Sequence, residues 1–207
     1  GYKEVTSNIA IIPMKDRFQH LFAVISGQRF LNKQGLGNEV PFFICPYKPE
    51  ESIEMERLQR QLLNRLEQVG VRVLEINLYD LSMEILKERD IWDQIVEIEN
   101  TITKEQLKEL LQGVLDPEMH LVPSIAAKIA SADFEVLFLS GVGEVFPYIR
   151  SHNVLNNLQS TVKVKPTVLF FPGEYRQSLE QGASLELFGL LHDDKYYRAF
   201  NIFETQV

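Results

Sequence analysis

Apolar positions along this chain follow two alternating rhythms. Short, nearly continuous apolar runs recur at VPFFICPY (40–47), VRVLEINLYD (71–80), FEVLFLSG (134–141), TVLFFPG (167–173) and YYRAFNIFE (196–204). Runs of that length suit strands covered on both faces. Between them the spacing turns helical. Phe18, Leu21, Phe22 and Ile25 predict a helix over 15–27, followed by a loop at NKQGLGNE. Pro49, Glu50 and Glu51 open a second helix with early acids and later arginines, which complements the helix dipole. Its stripe is Met55, Leu58, Leu62, Leu66 and Val69, and Gly70 stops it.

Farther on, residues 81–99 read as helical. Thr103-x-x-Gln106 forms a capping box ahead of Leu107, Leu110, Leu111 and Val114, and residues 121–131 predict another helix. Pro147 starts a helix carrying Tyr148, Ile149, Leu155 and Leu158. EYRQSLEQGAS (174–184) reads as a polar loop.

Apolar strands separated by long helices, with no hairpin turn between the first two, imply right-handed parallel crossovers. The predicted fold is an α/β three-layer sandwich: a mostly parallel sheet of about five strands with helices on both faces. Met14 heads the first amphipathic pattern, so residues 14–207 are taken as one domain and 1–13 as a leader or extension.

Composition narrows the function classes. A net charge of −8, with no basic run, argues against direct nucleic-acid binding and against an anionic membrane surface. Cys45 is the lone cysteine, which removes disulfide frameworks and thiolate metal cages. No apolar stretch is long enough for a membrane span, so a cytoplasmic protein is expected.

Ligands of parallel sheets bind beyond the strands' carboxyl ends. Here those ends are CPYKPE, NLYD, SGVGE and FPGEY, which would gather Tyr47, Asp80, Glu144, Glu174 and Arg150 on one edge. SGVGEVFP does not read as a phosphate loop. It lacks the lysine and hydroxyl of a Walker loop, and Phe146 stands where a dinucleotide fingerprint needs its third glycine. Ser140 is not in a nucleophile elbow, and Cys45 lies inside an apolar strand, where a core thiol is expected. His20, His120, His152 and His192 show no metal spacing, and His192-Asp193-Asp194 reads as a solvated turn. Phe42, Phe43, Phe170 and Phe171 are expected in the core. Tyr196, Tyr197 and Phe200, alternating with Arg198, suit either a half-buried strand or an interface edge. No cofactor is implied.

The combination LFLSGVGEVFPYIRSHNVLNNL, TVLFFPGEY and KYYRAFNIF resembles the BrxB family of the BREX bacteriophage-exclusion systems. The similarity runs over about residues 18–203. Its most specific features are a strand ending in Gly-x-Gly with Pro147, Arg150 and His152, then Pro172-Gly173, then Tyr197-Arg198-Ala199-Phe200. PFFICPYKPEE agrees more loosely. The resemblance implies a defence protein encoded beside a DNA methyltransferase, a large ATPase and an alkaline-phosphatase-like protein of the PglZ type. It supplies no catalytic residues. The reading is therefore a non-catalytic adaptor that binds other BREX proteins, the PglZ-like one first, with the methyltransferase and ATPase as further partners. Contacts are expected at Tyr47, Asp80, Glu144, Arg150, His152, Glu174, Tyr197 and Arg198. The rival reading is a degenerate nucleotide-binding or hydrolytic domain using the strand-end crevice.

Overall fold

The computed structural model describes residues 5–6, 12–32, 42–114, 116–145, 157, 165–178, 182–187, 191–192 and 199–207. Five parallel strands form the centre, β2 (Phe42–Tyr47), β3 (Val73–Asn77), β4 (Val136–Ser140), β5 (Thr167–Ser178) and β8 (Ala199–Asn201), in the spatial order β3-β4-β5-β2-β8. The α/β sandwich with helices on both faces is therefore the observed architecture. Successive strand residues feed opposite layers. Phe43, Cys45, Phe138 and Phe170 pack with α1 (Met14–Ile25), the short α2 (Gln28–Leu31) and α3 (Ser52–Gln68). Phe42, Ile44, Leu139 and Phe171 pack with α4 (Leu78–Glu88), α5 (Trp92–Ile98) and α7 (Val122–Ser131). All four phenylalanines expected in the core are there, and the Phe138 and Phe170 rings meet edge to face at 5.2 Å.

The crossover helix α3 follows its predicted stripe at Met55, Leu58, Leu62 and Leu66, whereas Val69, at 49% exposure, lies off it. The helix ends as the sequence predicts. Gly70 has φ +82°, Val71 N–H donates to Leu66 O at 2.9 Å, and Gly70 N–H donates to Glu67 O at 3.0 Å.

The same motif ends α4 unannounced. Asp90 takes φ +54°, Ile91 N–H donates to Leu86 O and Asp90 N–H to Lys87 O, so the helical stretch 81–99 breaks into α4 and α5. The capping box is observed in both directions. Thr103 N–H donates to Gln106 Oε1 at 2.9 Å and Gln106 N–H to Thr103 Oγ1 at 3.1 Å, starting α6 (Lys104–Val114).

Three strand predictions are corrected. The 71–80 strand stops at Asn77, because the Asn77 side chain accepts from Tyr79 N–H and Asp80 N–H and caps α4 directly. The run at 196–204 contains a strand only at Ala199–Asn201 within the described residues, and Ile202–Glu204 turns into a 3₁₀ helix. The largest change is at the polar segment 174–184. There β5 runs on to Ser178 and pairs antiparallel with β6 (Gly182–Leu187), which pairs with β7 (Leu191–His192). A ribbon whose ladder satisfies its own backbone needs no apolar run, so its polar composition hid it. His192 is thus a strand residue opposite Glu186. β1 (Val5–Thr6) pairs with Arg176 and Gln177 of the same ribbon. Of the helix predicted after Pro147 only Asn157 is described, and Arg150, His152, Tyr197 and Arg198 lie outside the described residues.

A buried arginine ties the first helix to the first crossover. Arg17, 3% exposed, places Nη2 2.8 Å from Glu51 Oε2, donates from Nε to Ile12 O at 2.8 Å, and sets Nη1 3.9 Å from Met55 Sδ. Glu51 also accepts from Lys48 N–H at 3.0 Å. Burial pushes the Glu51 carboxyl up, but the Arg17 and Lys48 hydrogen bonds and charges outweigh it and hold the group below its ordinary 4.5. The stability it contributes is therefore full above about that pH and is lost as pH falls through the lowered folded value. Replacing Arg17 by Met should cost about 1–3 kcal/mol in urea unfolding, less than a fully sealed pair because Glu51 keeps some water. The variant should also show a shallower loss of stability on acidification than the parent. Equal acid limbs would remove Glu51 from the account.

Candidate functional site

The carboxyl edge of the sheet is where three helices begin. α3 follows β2 through a 3₁₀ turn at Pro49–Glu51, α4 follows β3 at once, and α8 (Val142–Val145) follows β4 after Gly141. Gly141 has φ +76°, and a Cβ there would stand 2.9 Å from Asn77 Cγ and 3.1 Å from Tyr79 N. Glycine is thus required for two reasons, backbone conformation and the close approach of the α4 cap. Neither involves a phosphate.

Around this turn the structure brings together Tyr47, Asp80 and Glu144 from the sequence-predicted set. Burial pushes the Glu144 carboxyl above its ordinary value, and the charges of Asp80 and Glu56 act in the same direction. Burial also pushes the Tyr47 phenol up, with Cys45, Glu144 and Glu56 adding to it, so Tyr47 stays a neutral hydrogen-bond donor. Glu174 is placed by its backbone pairing. It lies on β5 beyond Pro172, the residue opposite Tyr47, and pairs with Glu186 in the ribbon.

Two members were missed. Glu56 is an exposed residue on the second turn of α3, and the only available signal was its position just beyond a strand end. Tyr79, 41% exposed, sits beside Asp80 in the first turn of α4, where the sequence reading had extended the strand.

This edge is acidic, with three carboxylates around a neutral phenol. It repels phosphates and favours an ammonium or guanidinium group. Among the described residues no group of three or more His, Cys, Asp or Glu side chains is arranged to hold a metal ion. Cys45 is sealed in the core, where burial raises its thiol far above the ordinary value against the opposing Arg17 charge, so it is no nucleophile. His20 Nε2 lies 2.9 Å from Ile202 O, and His120 Nε2 lies 3.3 Å from Arg89 Nη1. Phe200, on the terminal strand β8 of the parallel sheet, is 52% exposed with its ring 6.0 Å from Phe43. Among the described residues no helix is long and apolar enough to cross a membrane.

A family model described as BREX protein BrxB matches residues 74–202. A BREX protein BrxB of Bacillus cereus (strain H3081.97) is 32% identical over 195 residues, spanning 92% of this chain and 98% of its own. A BREX protein BrxB of Escherichia coli O9:H4 (strain HS) is 27% identical over 186 residues, spanning 90% of each chain. No solved structure matches the chain.

Substituting Gly141 by Ala should destabilise the protein by about 1–3 kcal/mol, since the methyl meets the Asn77 cap and the backbone is left-handed. An unchanged melting temperature would dismiss the close-packed turn. Glu144→Gln should behave oppositely. A carboxyl raised in the folded state costs stability while ionised, and that cost disappears on acidification. Because Glu144 is largely solvated, the gain at neutral pH should be small, within about 0.5 kcal/mol, and should vanish below the ordinary carboxylate range. Thermal melts at several pH values check this, and a destabilised variant at neutral pH would contradict it.

Proposed function

The chain belongs to the BrxB family, and on that premise we propose that it serves a BREX phage-defence system as a non-catalytic adaptor, holding another component through its acidic sheet edge. The convergence of Glu56, Asp80 and Glu144 around Tyr47 carries the reading. Such an edge complements a basic patch on a protein partner, while Tyr47 and Tyr79 supply the amphipathic rings common at binding hot spots. The PglZ-like protein is the first candidate, and the methyltransferase and the ATPase follow. The exposed Phe200 on the terminal strand, next to Tyr197 and Arg198 in sequence, extends the contact surface. The unassigned Arg150, His152 and Glu174 belong to the same proposal. The setting is the cytoplasm, and the domain comprises residues 14–207.

A nucleotide-binding role finds no support at the edge, because its charges oppose a triphosphate and its glycine turn is occupied by the Asn77 cap. Co-expression with each BREX partner, followed by affinity purification, tests the adaptor reading. One partner should be retained with the parent chain. The triple variant Glu56→Lys, Asp80→Lys, Glu144→Lys should retain it at least tenfold less while keeping its circular-dichroism spectrum. Equal retention by both chains, or tight ATP binding by calorimetry, would sink the proposal.

A further inference from the structure

A second surface, of opposite sign, lies on the outer face of α1 and α3. The two helices run side by side in the same direction. Arg17 in the first turn of α1 reaches Glu51 and Met55, while Phe22 near the end of α1 lies under Arg65, whose guanidinium carbon is 5.1 Å from the ring centre. Between them runs an open groove of about 730 Å³. Met14, Phe18 and Phe22, at i, i+4 and i+8, form one apolar wall, and Leu58 faces them. Lys15, Arg57 and Arg65 stand on the rim against one acid, Glu54, giving 3 − 1 = +2 in a chain whose net charge is −8.

Those cations also lack acidic partners among the described residues, Arg65 resting instead on the Phe22 ring. Among the described residues Lys15, Arg57 and Arg65 make no ion pair, whereas Arg17, Arg60, Arg72 and Lys128 all do. An apolar trough between parallel helices accepts a third helix by ordinary ridge-into-groove packing. From Met14 to Phe22 the α1 wall is about 12 Å long, enough for two to three turns of an incoming helix with anchors at i, i+4 and i+7.

We propose that this groove docks an amphipathic helix of a partner protein whose apolar stripe is flanked by Asp and Glu. The surface is separate from the acidic edge and would hold even if that edge bound nothing. The apolar walls and overall negative charge disfavour a nucleic-acid backbone as occupant.

The probe is a fluorescent peptide of about 16 residues, a length at which a helix is marginally stable, with Leu at i, i+4 and i+7 and Glu on both flanks. A second peptide carries Lys in place of every Glu. Fluorescence anisotropy with the full chain should show the Glu peptide binding at least tenfold tighter than the Lys peptide. Salt should narrow the gap. Lys15→Glu with Arg57→Glu, both at exposed positions, should reverse the preference without changing the fold, and Phe18→Ala should weaken both peptides. The triple lysine variant of the acidic edge should leave Glu-peptide binding within twofold of the parent, which separates this proposal from the adaptor reading. Equal binding of the two peptides, or no reversal in the charge-swapped variant, would overturn it. So would a self-dimer abolished by that variant, since a second copy would then be the occupant.

Discussion

In the middle of a parallel sheet covered on both faces, every backbone polar group must be satisfied by the ladder, and side chains must be apolar. This one constraint explains where the rest of the chemistry sits. The inner strands β2, β4 and β5 bury Phe, Leu, Ile, Val and a thiol. The buried polar atoms left without a partner among the described residues, Ser140 Oγ, Thr167 Oγ1 and Asn201 Nδ2, belong to the last residue of β4, the first of β5 and the last of β8. These unpartnered polar side chains thus sit where strands start or stop. Charged groups lie at the strand starts, as Arg72 with Asp133 and Glu135, on the outermost strand β3, as Glu75, and at the helix starts beyond the carboxyl edge.

That placement also explains the sign of the edge. α3, α4 and α8 begin there, and each carries an acid in its first turn, of which Asp80 and Glu144 belong to the acidic edge while Glu54 lines the groove. Acids at helix starts are ordinary stabilising chemistry, because the exposed N–H groups and the dipole favour them. An acidic edge is therefore partly a by-product of building a parallel sheet. Glu144 departs from that account. Its carboxyl is raised rather than lowered, by burial first and then by Asp80 and Glu56, so the local structure works against its charge.

The core was legible because burial leaves a strong periodic trace. The stripe from Met55 to Leu66, the Gly70 stop and the Thr103–Gln106 box each appear where the residues indicate. What escaped has weak composition signals. Asp90 ends a helix in the conformation glycine usually takes, Asn77 replaces a loop with a side-chain cap, and the strand pairing at 174–178 and 182–187 runs through a stretch whose polar sequence reads as a loop. Tyr47, Asp80 and Glu144 were legible because parallel topology predicts which ends meet. Glu56 was not, since its neighbours depend on how α3 crosses the sheet, a three-dimensional fact with no local spacing. Arg17 likewise read as one more charge on an amphipathic helix until its partner Glu51, 34 residues away in sequence, was in place.

Helix α3 joins these features into one device. Glu56 faces the acidic edge while its neighbour Arg57 lines the basic groove, as expected for successive residues turned about 100° apart. Four buried side chains seat the helix on the sheet, and the Arg17–Glu51 pair sets its first turn against α1, which supplies the other wall of the groove. The same clamp therefore fixes the groove's width and the position of Glu56. Both faces share the packed core beneath α3. On the adaptor reading proposed above, α3 would present two charge-distinct faces from one packed helix, an arrangement such a role uses more than a catalytic centre.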